Sequence, residues 1–393
     1  MAQQTRTQET MRRIALHMLI GETGKYLGIV AGVMFASLLI IQQLSMLSGI
    51  LRQTYSGITS VHADIWVMDP KVKSIDDSKP MTDGELGRVR SVEGVAWAVA
   101  LYKGSTSARL ENGDTEGVSL YGIDDTTFAG GPSQMVEGKL SDLRISDAVI
   151  VDSMSAKDRL AHISADGTRV PLSVGDTLEL NDHRVKVVGL CQVGRGFQSQ
   201  AVVYTTYNRA LSIAPTQRKN LSYILATAQP GNTPEEVAAK IARVTGLGAY
   251  SSQQFIDKTL HYFLTETSIV INFGMSVMVA FLIGTLIAGQ TFYNFTMDNL
   301  RHFGALKAMG ASDRTILSMI LLQAGLVGFV GFGIGTGLAC LMGLAMQDSM
   351  MTFTLPWYVL AFTGVAVVGI SGISALLSLR KVVQLEPGIV FRG

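Results

Sequence analysis

Polar and apolar residues are unevenly spread along the chain. Asp, Glu, Lys and Arg are absent from four long runs, Tyr26–Leu51, Thr267–Met297, Thr315–Gln347 and Ser349–Leu379. A membrane-spanning helix needs about 20 predominantly apolar residues, so each run is long enough to cross a bilayer. Between Arg52 and Glu266 the longest uncharged stretch is the 15 residues Asn220–Pro234. The pattern predicts an integral membrane α-helical protein with four transmembrane helices and a large α+β extracytoplasmic domain inserted between the first and the second. The expected order is a segment 1–25, a span 26–51, the domain 52–266, a span 267–297, a loop 298–314, spans 315–347 and 349–379, and a tail 380–393.

Inside 52–266 the apolar period switches between two and 3.6 residues. Thr82 to Glu85 fits a capping box opening a short helix with Leu86 and Val89 inward, and Val95 to Tyr102 reads as a strand. Thr177 to Leu180 and Arg184 to Leu190 flank the polar pair Asn181-Asp182, the pattern of a hairpin. Ala201 to Tyr207 and Ser222 to Ala228 are further strands. Thr233-Pro234-Glu235-Glu236 combines an N-cap, a proline at the first helical position and a capping glutamate, with Val237, Ile241 and Val244 on one face. A two-lobed α+β domain is the expectation.

Charge fixes the orientation. Only 16% of the chain is charged, against about 25% in soluble proteins. Ten basic residues lie outside the soluble domain: Arg6, Arg12, Arg13, Lys25, Arg301, Lys307, Arg314, Arg380, Lys381 and Arg392. Because cytoplasmic loops carry the Lys/Arg excess, both termini and the 298–314 loop are expected inside and 52–266 outside. The 26-residue first run exceeds the apolar core of a secretory signal, which makes it an uncleaved anchor. A net charge of +1 disfavours nucleic acid as a partner.

The outer domain offers little chemistry. His62, His162, His183 and His261 have no histidine partner at i+4, no H-E-x-x-H or G-x-S-x-G is present, and Gly138-Lys139 lacks the rest of a phosphate loop. No enzyme activity, metal or cofactor is expected in this chain. Cys191 and Cys340 do not form a metal pattern, and an outer location makes Cys191 a buried free thiol.

Glycines repeat every four residues at Gly24, Gly28 and Gly32, and again at Gly331/Gly335 and Gly333/Gly337. Such faces let helix backbones approach closely in lipid, either within one bundle or between subunits. Gln42, Gln43, Asn272, Gln290, Asn294 and Gln323 put amides at or inside the spans. No ionised residue lies inside a span, so a proton relay is not expected.

The inner loop carries the sharpest pattern. Helix formers run from Leu300 to Met309, Gly310 is placed to stop them and Ser312 to cap the next helix. Leu300, Phe303 and Leu306 cluster on one side; a helix resting on lipid headgroups would use the same residues. Arg301-x-x-Gly304-x-Leu306-Lys307-Ala308-x-Gly310-Ala311 resembles the R-x-x-G-x-L-[KR]-A-x-G-A signature of the FtsX/MacB-like ABC transporter permeases, whose topology is the one derived above. Ala63-Asp64-Ile65-Trp66-Val67, Val174-Gly175-Asp176 and Leu385-Glu386-Pro387 resemble the DevC-like branch.

The resemblance implies the membrane subunit of an exporter working by mechanotransmission in the bacterial cytoplasmic (inner) membrane, with cargo handled at its outer face. It implies a second copy of the chain, two copies of a separate ABC ATPase holding ATP and Mg, and a periplasmic adaptor and outer-membrane channel where an outer membrane exists. The coupling site it implies is Arg301, Phe303, Gly304, Leu306, Lys307, Ala308 and Gly310, with Phe303 and Leu306 as anchors. The alternative is a signalling scaffold that activates a cell-wall hydrolase without transport. Cargo is left open among glycolipid, lipoprotein, peptide, drug and haem.

Overall fold

The computed structural model describes residues 23–110, 113–163, 168–194, 196–198, 200–215, 220–346 and 353–383. Arg6, Arg12, Arg13, the turn at Asp348, Arg392 and the Leu385-Glu386-Pro387 motif lie outside these residues. The chain divides into two units, Ile50–Thr267 and the combination of Met1–Gly49 with Ser268–Gly393.

Helix α1 (Thr23–Thr59) is 37 residues long. That is about 55 Å, more than the ~30 Å hydrocarbon thickness. It therefore runs past the expected end at Leu51, because Arg52 ends the apolar run without ending helix propensity.

The outer unit then follows in the order β1 (Ile65–Met68), α2 (Gly84–Arg90), β2 (Val95–Arg109), β3 (Thr115–Ile123), β4 (Met135–Glu137), β5 (Ala148–Asp152), α3 (Ser153–Lys157), β6 (His162–Ile163), β7 (Arg169–Val170), β8 (Thr177–Leu180), β9 (His183–Cys191), β10 (Ala201–Thr206), α4 (Tyr207–Ile213), β11 (Tyr223–Ala228), α5 (Pro234–Thr245), β12 (Gly248–Ser251) and α6 (Ser252–Thr265). The main sheet reads β12-β1-β11-β2-β3-β10-β5-β9-β4, with β8 joining β2 to β9.

The two expected lobes are two halves of this sheet, and β2 belongs to both. Its first half pairs with β11 from Val95↔Ala228 to Leu101↔Tyr223, and its second with β3 from Tyr102↔Gly122 to Arg109↔Thr115. Trp66, Tyr223 and Phe255 pack edge to face and tilted in one half, with ring centroids 5.5–6.2 Å apart. Val118, Val149, Val187 and Val203 fill the other.

Several local expectations are met. Asn181 and Asp182 both take left-handed backbone, φ 47° and 64°, as a two-residue turn with the strands' twist requires. Thr233 and Glu236 close a reciprocal capping box on α5, and Gly246 ends it at φ 74°. The Cys191 thiol is buried, donates to the Val151 carbonyl at 3.6 Å, and has its pKa pushed up by that burial.

Others are corrected. The N-cap of α2 is Asp83 rather than Thr82, and no side-chain cap bond forms, because Asp83 is itself helical. Val244 is 62% exposed, since the buried face of α5 is Val237, Ala238, Ile241 and Thr245. Strand β10 stops at Thr206, and Tyr207 opens α4.

The second unit holds α1's first part with α7 (Ile269–Asp298), α8 (Leu300–Ala308), α9 (Asp313–Ala345) and α10 (Trp357–Val383). Among the described residues four helices, α1, α7, α9 and α10, are long and apolar enough to cross a membrane. Ile29, Val33, Phe292, Phe295, Ile320 and Ile370 form the centre of their shared core.

Candidate coupling site

Helix α8 is a short rod with both ends fixed. Asn299 ends α7 and precedes α8; its side-chain amide donates to the Phe295 carbonyl at 3.0 Å, and its own carbonyl accepts from Phe303 N at 3.1 Å. At the other end Gly310 adopts φ 96°, Ala311 N donates to Leu306 O and Gly310 N to Lys307 O, both at 3.0 Å. These paired bonds are a Schellman stop, which a residue with a β-carbon would strain. Ser312 then caps α9, its hydroxyl accepting from Thr315 N at 3.3 Å.

Burial divides the signature residues between two faces. Phe303 is 1% and Leu306 6% exposed, Gly304 is buried, and Phe303 belongs to the core made with Phe295, Ile316 and Ile320. The anchors expected to face a partner therefore face this chain's own helices. Spacing of three residues defines a face but does not say what covers it. Arg301, His302, Ala305, Ala308 and Met309 are exposed, Met309 by 76%. His302, Ala305 and Met309 were missed by the motif, although they recur at i, i+3 and i+7 opposite the apolar side.

Lys307 is not a free contact. Its ammonium lies 3.0 Å from Asp313, tying α8 to the start of α9. Lys25 pairs in the same way with Asp298 at the end of α7. Arg301 and Arg314 are exposed cations of this surface.

The glycine repeat of α1 is also placed. A Cβ on Gly28 would lie 3.3 Å from Thr291 Cγ2, and one on Gly32 2.8 Å from Ile287 Cγ2 and 3.3 Å from the Ala288 nitrogen. Both glycines pack within the chain, on α7, while a Cβ on Gly24 meets nothing within 4 Å. Gly331 and Gly335 of α9 lie against Val33, Met34 and Ser37 on another side of α1. On α7, Gln290 Nε2 donates to Asn294 Oδ1 at 3.3 Å and both amides are exposed, whereas Gln323 of α9 is fully buried.

The chain resembles known proteins over nearly its full length. The MacB-like periplasmic core domain profile matches residues 26–244, and that of the FtsX-like permease C-terminal region residues 274–387. An uncharacterized ABC transporter permease of Mycobacterium tuberculosis is 23% identical over 92% of this chain and 93% of its own length. One from Methanocaldococcus jannaschii is 21% identical, with 93% of each chain covered. Among solved structures, the periplasmic region of MacB from Actinobacillus actinomycetemcomitans matches 51% of this chain and 94% of its own, at 14% identity and a TM-score of 0.36.

Proposed function

The chain belongs to the family defined by the MacB-like periplasmic core domain and the FtsX-like permease region, as the multi-pass membrane permease of an ABC transporter, and from that premise we propose that it is a homodimeric exporter driven by mechanotransmission. An ABC permease has an ATPase partner; here two copies of a separate ATPase would hold ATP and Mg and dock on α8 from the cytoplasm. Their closure would be passed through the helices to the outer domain, which handles cargo at the outer face of the inner membrane. A periplasmic adaptor and an outer-membrane channel would complete the route in a cell with an outer membrane.

The observation that carries this reading is the division of α8. One face is sunk in the chain's own core, both ends are stopped, and the remaining face presents Met309, Ala305 and Arg301. A protruding apolar side chain flanked by a cation is suited to a groove on a folded partner. The rigid backing lets displacement of that face move α7 and α9 together.

A second copy is supported by the exposed amide pair Gln290 and Asn294, which would sit in or near hydrocarbon unless covered. The test of the whole reading is the ATPase activity of the reconstituted complex. Met309→Asp and Ala305→Trp are expected to reduce stimulation of the partner at least tenfold while the permease stays folded. Arg301→Ala should do less, since a rim charge mainly tunes association. Full stimulation with both severe variants would overturn the assignment of α8 as the docking element.

A further inference from the structure

We draw no further inference here: the strongest candidate, the apolar groove between α9 and α10 lined among others by Leu321, Gly325, Phe329, Gly364 and Val368, carries nothing, because nothing in the structure shows what covers it.

Discussion

Gly32 of α1 stands against Ile287 of α7 so closely that a β-carbon on the glycine would come within 2.8 Å of Ile287 Cγ2. The Ala288 nitrogen at 3.3 Å leaves the backbones no room to part without losing the contact. Gly28 and Gly32 of the first span thus pack in the protomer's own bundle.

Gly32→Leu is therefore expected to destabilise the monomer by about 1–3 kcal/mol through overpacking. Gly24→Leu should cost nothing, since a Cβ there has open space. Unfolding midpoints in detergent compare the two. A Gly32→Leu protein of unchanged stability that no longer crosslinks as a dimer would move the repeat to a subunit interface.

The inward face of α8 makes a prediction opposite to that for its outward face. Phe303→Ala should lower stability by about 3–5 kcal/mol, the cost of truncating a buried aromatic residue. Met309→Ala should leave the unfolding midpoint unchanged, because Met309 is 76% exposed. Equal midpoints for the two variants would show that Phe303 is not in the core.

Orientation can be read by labelling. In a Cys340→Ala background, a cysteine at Asp114 should react with an impermeant thiol reagent in intact cells, and one at His302 should react only after permeabilisation. Buried Cys191 should stay silent in both. Asp114 is preferable to Gly113, whose φ of 87° would strain a cysteine. Labelling of His302→Cys from outside would invert the topology.

A buried cation in the outer domain gives a pH prediction. Lys103 on β2 is 8% exposed; its ammonium pairs with Asp76, donates to the Ile75 carbonyl at 3.1 Å and lies 5.7 Å from the centre of the Tyr121 ring. Burial alone would push its pKa down, but interaction with Tyr121 and Asp76 and their hydrogen bonds outweigh it, so the pKa is raised. A cation with a raised folded pKa contributes fully below its unfolded value, about 10.4, and loses that contribution as pH climbs through the folded value. Lys103→Met should cost about 3–5 kcal/mol at neutral pH by stranding Asp76. The gap in unfolding midpoint from the wild type should narrow above about pH 10.4. A constant gap from pH 8 to 11 would deny Lys103 that role.

How much of this was readable beforehand varies by element. The four spans follow from missing charge alone, and the β8–β9 hairpin from Asn181-Asp182, because only a few side chains accept two successive left-handed residues. Helix ends were less legible: hydropathy reports where lipid stops, not where the backbone does, so α1 continues to Thr59. Strand β2 was expected to end at Tyr102, before the polar residues Lys103, Ser105, Thr106 and Ser107. They continue as strand because β3 supplies their hydrogen bonds. The short helix α8 was legible along the chain, but Phe303 and Leu306, expected on its free side, are buried, since a single sequence does not reveal which neighbour covers a face.

Strand β2 also has a mechanical consequence. Among the named strands no other belongs to both halves of the outer sheet: the first half's ladder is attached along Val95–Leu101 and the second's along Tyr102–Arg109. Tension carried through the sheet from one half to the other passes along covalent backbone at the Leu101-Tyr102 junction. The ladders on either side are loaded in shear, where many hydrogen bonds share the force, rather than peeled one at a time. Rotation of one half against the other is opposed by the core they share, in which Trp66, Tyr223 and Phe255 of the first half cluster with Tyr121, Ile150 and Tyr204 of the second.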